Sequence, residues 1–428
     1  MMDLLLIAYH YPPMASAGIE RSRSFVRHLP GRGYRPHVLT TSTYGGSECA
    51  EVYRASELLE IYRLIRNPAQ RSLEPEIRSR SRTESGSVIS WFKRNLLIPD
   101  GQIGWFPHAL YKGLKAIQRH GIRGIVSSAP PYSSHLLGMA IQGITGLPWV
   151  VDFRDAWTYD PLDPALQPGT VRYELECALE QSVIQRADRI VCVSDVARDD
   201  LQSRFPHSSE KICVIPNGFE PGELPDVSSE YEALDRPIQL VHTGSFSYSH
   251  EKRSLSPLLD ALQSLYHADN NLSELLRLVL VGSLSEEEHA LVAPLVDAGI
   301  VLEVGAVPRS EALQWQNKAD VLLLVDHPRT VPASNIPTKC YEYMAARKPI
   351  LALVPRGATR DLVADLQAGI CVSPVDSKEI RKGIEQLVNA GRAGEFRQWR
   401  VSSERLKHFS RAESASALAA CLDHLLTT

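Results

Sequence analysis

No run in the 428 residues approaches the roughly 18 apolar positions that a membrane-spanning helix requires. The apolar stretch near the N-terminus, Leu4 to Ala8, follows Asp3 and precedes His10; it is too short for a secretory leader and lacks the basic flank. A basic excess is also missing. The 46 Lys and Arg stand against 50 Asp and Glu, a formal charge of −4 that argues against a nucleic-acid partner. The seven cysteines, Cys49, Cys177, Cys192, Cys213, Cys340, Cys371 and Cys421, are scattered and form no C-x-x-C pair, which fits buried thiols in a reducing compartment. A cytoplasmic protein is expected, with peripheral contact at the inner face of a membrane left open. There is no H-E-x-x-H, no close His/Cys set and no calcium loop, and Asp326-His327 alone do not make a site. No tightly bound metal or cofactor is therefore expected.

What is present is ordinary globular material, 44% hydrophobic and 22% charged, enough for two or three domains of about 150 residues with large buried cores. Short apolar runs rich in β-branched residues alternate with helix-length segments, the pattern of βα units with parallel strands. The expected strands of the first half are Leu4–Tyr9, His37–Thr41, Gly124–Ser128, Trp149–Phe153, Arg189–Ser194 and Ile212–Pro216. Those of the second half are Ile238–Thr243, Leu278–Gly282, Val301–Gly305, Val321–Val325, Ile350–Pro355 and Ile370–Val372.

The fold class that follows is α/β, with two doubly wound, Rossmann-like parallel-sheet domains. The first spans 1–217, a linker 218–237, the second 238–395, and helices over 396–428 are free to cross back to the first domain. Between Ser42 and Gly104 no strand pattern is evident. From Ile61 to Arg94 eight Arg or Lys meet three Glu, which fits an acceptor-facing insertion, a membrane-leaning segment or a solvated helix pair.

Open parallel sheets bind ligands beyond the carboxyl ends of their strands, so the cleft between two such domains is the expected site. After the first strand, His10-Tyr11-Pro12-Pro13 leads through Ala15, Ser16, Ala17 and Gly18 into a helix opening at Ile19 and Glu20. This suits either an anion at a helix N-terminus or a tight turn. The fourth strand runs into Asp152-Phe153-Arg154-Asp155-Ala156-Trp157, where Arg154 and Asp155 either orient a hydroxyl or form a structural pair. His135 reads as a packing or capping residue. In the second half, His242-Thr243-Gly244 followed by Lys252 and Arg253 can receive a diphosphate, or the two cations simply open a helix. The strongest stretch is Ser334-Asn335-Ile336-Pro337-Thr338-Lys339, continuing to Glu342 on the same helix face. Lys339 suits phosphates and Glu342 ribose hydroxyls; the alternative is an intrahelical pair.

Taken in order, these pieces resemble the retaining glycosyltransferases of GT-B fold, family 4 type. The resemblance rests on Ala8–Pro13 with Gly18 and Arg21, Pro130–His135, Gly146–Pro148 leading to Asp152–Trp157, Ala187–Ser194, Ile215–Phe219, His242–Gly244 and Lys339–Pro349. It implies sugar transfer from a nucleotide-sugar donor, UDP-sugar favoured over GDP-sugar, to a glycan or lipid-linked acceptor of envelope polysaccharide synthesis. The first domain would take the acceptor and the second the donor. Gly18 would offer an amide near the diphosphate, Lys252 or Arg253 with Lys339 would neutralise it, and Glu342 matches the second glutamate of the family's paired motif. Ser334 stands where the first glutamate belongs, and Arg154 where many members carry His. Asn335 and Thr338 join the donor set, and Arg154 and Asp155 are catalytic candidates by location. A sugar-nucleotide epimerase and a non-catalytic nucleotide-sugar scaffold are the competing readings.

Overall fold

The computed structural model describes residues 1–14, 17–46, 51–57, 97–161, 166–223, 233–268 and 272–426. The segment Ile61–Arg94, read above as an insertion, lies outside the described residues, as do Ala15 and Ser16. The chain divides into two units, Met1–Asn217 with Arg411–Thr428 and Gly218–Ser410.

In the first unit the buried apolar runs form β1 Met2–Ala8, β2 Tyr34–Thr41, β3 Val52–Ala55, β4 Gly124–Ala129, β5 Trp149–Phe153, β6 Arg189–Cys192 and β7 Ile212–Val214. They make one sheet of order β3-β2-β1-β4-β5-β6-β7, with every pair parallel. The expectation of no strand between Ser42 and Gly104 fails at β3. Only four residues long and carrying Arg54, it has too little apolar pattern to be read, yet Arg54 is buried and its guanidinium donates to the carbonyls of Thr41 and Pro12.

Leu5, Ile7, Ile125 and Val151 pack one face of this sheet, and Leu4, Leu6, Val126 and Val150 the other. That second face is completed by the helix Arg411–Leu426 through Ala415, Leu418, Ala419 and Leu422. Burying a leucine is worth about 1.5–3 kcal/mol, so Leu418 and Leu422 anchor this C-terminal helix on the first sheet. The return to the first unit begins at Arg411; residues 396–410 stay with the second. Residues 396–410 do not form one continuous helix, because Ser402 adopts extended backbone and its hydroxyl accepts from Arg405 N–H, starting a separate short helix Ser403–Lys407.

The second unit holds β8 Ile238–Thr243, β9 Leu276–Val281, β10 Val301–Gly305, β11 Val321–Val325, β12 Ile350–Leu353 and β13 Gly369–Val372. Their order is β10-β9-β8-β11-β12-β13, again all parallel. Residues placed in a linker pack here: Phe219 N–H donates to Phe409 O and Leu234 N–H to Gly391 O. In each sheet the strand order reverses at one place, beside β1 and β4 in the first and beside β8 and β11 in the second. Such a switch point opens a crevice at the carboxyl ends of the strands. Among the described residues no helix is long and apolar enough to cross a membrane.

Candidate functional site

At the switch point of the second sheet, β8 ends on Thr243 and the chain turns through Gly244 at φ +113°, a backbone conformation glycine adopts freely. Lys339, in the first turn of the helix Thr338–Ala345, sends its ammonium to the Thr243 carbonyl at 2.7 Å. A Cβ added to Gly244 would lie 2.7 Å from Lys339 Nζ, so the glycine makes room for the lysine. Pro337 precedes this helix with extended backbone, as suits a residue that cannot donate to a preceding turn.

Two further side chains, those of Tyr343 and Gln316, converge on Thr243. Its N–H donates to Tyr343 Oη at 3.2 Å, and its hydroxyl lies 3.0 Å from the same oxygen and accepts from Gln316 Nε2 at 3.1 Å. Gln316 also reaches Glu342 Oε2 at 3.4 Å, while Arg309 donates to Glu342 Oε1 at 2.8 Å. Glu342 thus turns to the helix Arg309–Lys318 while Lys339 turns to β8. Burial pushes the Tyr343 phenol up to about 12. Burial, and then the Lys339 ammonium, hold His242 well below its ordinary value, so the ring is neutral and donates from Nδ1 to Leu323 O at 2.9 Å.

Asp326 follows β11 and gathers cations. Arg253 lies 3.3 Å from one of its oxygens and Arg329 3.2 Å from the other, and His327 N–H donates to it at 2.9 Å. Burial works against the carboxylate, but the His327 side chain, with Nδ1 2.9 Å from Oδ1, and both guanidinium groups hold Asp326 below the usual range. Arg329 extends the cluster to Asn335 Oδ1 at 3.0 Å, and the ring of His327 stacks on His250 at 3.6 Å. Ser334 is buried beside this cluster in sequence, whereas Lys252 is exposed. Among the described residues no group of three or more His, Cys, Asp or Glu is placed to hold a metal ion.

The switch point of the first sheet is built around a buried ion pair. Arg21 meets Asp152 at 2.8 Å, and Ser128 donates to the same carboxylate at 2.8 Å. Arg154, just past β5, donates to the carbonyls of Gly18, Ala129 and Pro130, so its guanidinium fixes the turn that carries Gly18. Burial lowers its pKa. Burial, then Arg154, lower His10 to about 3. Asp155 is half-buried, and its carbonyl accepts from Tyr132 at 3.4 Å. His135 is buried, 2.9 Å from Ser127 Oγ and edge-on to Phe153, a packing arrangement.

Gly244, Arg253, Ser334, Asn335, Thr338, Lys339 and Glu342 therefore lie in the second unit, on segments that follow β8 and β11, and Gly18, Arg154 and Asp155 belong to the first. Arg309, Gln316 and Arg329 were not singled out from the sequence, while Thr243 and Tyr343 were noted only as parts of the His242–Gly244 and Lys339–Pro349 stretches. Arg309 and Gln316 belong to no recognised motif, and only the fold brings them to Glu342.

Two all-parallel α/β units of this kind define the GT-B class. Residues 18–223 match the family model for Glycosyltransferase Family 4, and residues 237–390 that for Glycosyl transferases group 1. The chain belongs to the GT-B glycosyltransferases, pairing a family 4 domain with a group 1 domain. No curated protein matches the sequence. Sucrose-phosphate synthase from Thermosynechococcus elongatus superposes with a TM-score of 0.66 at 15% identity, covering 100% of both chains. HepE of Anabaena, solved in complex with UDP and glucose, gives 0.63 at 16% identity over 99% of this chain and 100% of that one. WaaG, a glycosyltransferase involved in lipopolysaccharide biosynthesis, gives 0.62 at 15% identity over 99% and 100%.

Proposed function

We propose that the protein transfers a sugar from a nucleoside-diphosphate sugar, a UDP-sugar in preference to a GDP-sugar, to a glycan or lipid-linked acceptor of envelope polysaccharide synthesis. The anomeric configuration is retained and no metal ion takes part. The observation that carries this reading is the Lys339 ammonium held 2.7 Å from the Thr243 carbonyl, beside Gly244 at a sheet switch point. That is where a diphosphate needs a fixed cation and a bare backbone. HepE, of the same fold, binds UDP.

In this reading residues 238–395 take the donor. Lys339, with Arg253 and Lys252, stabilises the departing diphosphate, Asn335 and Thr338 bracket it, Ser334 lies towards the sugar, and Glu342 accepts from ribose hydroxyls. The acceptor belongs to residues 1–217, where Arg154 holds the Gly18 turn and Asp155 stands next to it. The leaving oxygen of the diphosphate takes the acceptor proton on the same face of the sugar, so no enzyme nucleophile is required. The work is done in the cytoplasm at the inner face of the membrane.

The test is incubation with UDP-sugars and candidate acceptors, following UDP release with and without EDTA, and reading the product's anomeric coupling by NMR. UDP release that requires an acceptor, with the donor's anomeric configuration in the product, supports the proposal. Sugar conversion without acceptor would identify an epimerase. Binding with no turnover on any acceptor would identify a scaffold, the reading that Ser334 at the glutamate position favours.

A further inference from the structure

Glu342 is held from both sides by one helix. Arg309, the first residue of Arg309–Lys318, donates to Oε1 at 2.8 Å, and Gln316 approaches Oε2 at 3.4 Å. The two partners are seven positions apart, two helical turns, so both project from the same face. Gln316 is 2% exposed and Glu342 6%, while the Arg309 side chain is 41% exposed and comes in from the rim. An ionised carboxylate has about four lone-pair sites. Arg309 and Gln316 use one on each oxygen, which leaves one on each for a pair of neighbouring hydroxyls. Through its second hydrogen bond, to Thr243 Oγ1 at 3.1 Å, Gln316 ties the carboxylate to the residue whose carbonyl receives Lys339. Thr243 thus links Gln316, which approaches one oxygen of Glu342, to the Lys339 ammonium.

We propose that Arg309 and Gln316 are positioning residues that aim both oxygens of Glu342 at the vicinal 2′- and 3′-hydroxyls of the donor ribose, and that selection of ribo- over 2′-deoxyribonucleotides depends on them. The inference rests on the donor-site reading above, in which Glu342 faces ribose. A site built to bond a hydroxyl discriminates against the ligand that lacks it, because a buried acceptor is then left unpaired.

The test is calorimetric titration of UDP and 2′-deoxy-UDP into the full-length wild type, Arg309→Met, Arg309→Lys and Gln316→Leu. The wild type is expected to prefer UDP by roughly tenfold or more. Arg309→Met should weaken UDP by about that factor, leave 2′-deoxy-UDP nearly unchanged, and bring the ratio towards one, with Arg309→Lys restoring part of it. Arg309 lies at the rim, so Arg309→Met is expected to fold even where Gln316→Leu does not. An unchanged ratio in Arg309→Met, or equal loss for both ligands, overturns the inference and leaves the donor site standing. A wild type that binds UDP without discrimination does the same. A wild type that binds neither UDP nor GDP removes the donor-site reading itself, and the inference with it.

Discussion

The guanidinium of Arg21 grips the carboxylate of Asp152 through contacts of 2.8, 3.0 and 3.1 Å, with both side chains almost wholly excluded from water. Arg21 also donates to Pro216 O at 3.0 Å, so the pair joins the helix Glu20–His28, β5 and the segment after β7. Removing one partner strands a buried charge, which costs about 3–5 kcal/mol. Arg21→Met should therefore lower the urea unfolding free energy by that amount, and adding Asp152→Asn should recover more than half of it. Additive losses in the double variant would show that the two residues do not act as a pair.

Arg154 presents a second test of the same region. Its planar fork satisfies three main-chain carbonyls around the Gly18 turn, an arrangement a lysine ammonium cannot span. Arg154→Lys should cost about 2 kcal/mol and speed amide exchange in the turn Ala17–Ile19. Wild-type exchange rates in that turn would contradict this role.

Gly244→Ala should disable the proposed donor site locally. The new Cβ falls 2.7 Å from Lys339 Nζ, and φ +113° is unfavourable for alanine, so the ammonium must leave the Thr243 carbonyl. A stability loss of about 1–3 kcal/mol is expected together with loss of UDP binding. Retained UDP affinity would show that the lysine is not held where the ligand needs it.

The pH dependence has a distinctive contributor in Asp100, which caps the helix Ser133–Thr145 by accepting from Ser133 N–H at 2.8 Å. Burial is the main cause of a rise in its pKa from 3.8 to about 6, opposed by the Ser133 hydrogen bond. Folding therefore favours the protonated form, a contribution fully present below about 3.8 and lost as pH rises through about 6. Asp100→Asn should match or exceed wild-type stability at pH 7.5 and fall behind it by on the order of 2 kcal/mol by pH 4.5. A pH-independent difference between the two would exclude Asp100 as the source.

Both sheets were readable because most of their strands carry a short apolar run between helix-length segments, as in Val321–Val325. β3 was not, because Arg54 interrupts it and its burial depends on carbonyls contributed by Thr41 and Pro12. Lys339 stood out through its place after Pro337. The partners of Glu342 did not, since Arg309 and Gln316 lie 33 and 26 positions away and carry no pattern of their own. Asp326-His327 drew notice as a weak metal motif; the fold uses Asp326 to hold Arg253 and Arg329.

The central claim, a metal-independent diphosphate site centred on Lys339, is tested most directly by thermal unfolding of wild type and Lys339→Ala with a panel of nucleoside diphosphates and nucleotide sugars, with and without magnesium. A ligand that binds only the folded state raises the melting temperature. The account predicts a rise with UDP or its sugars that is the same without magnesium and absent in Lys339→Ala. No shift with any nucleotide, or an equal shift in the variant, would contradict it.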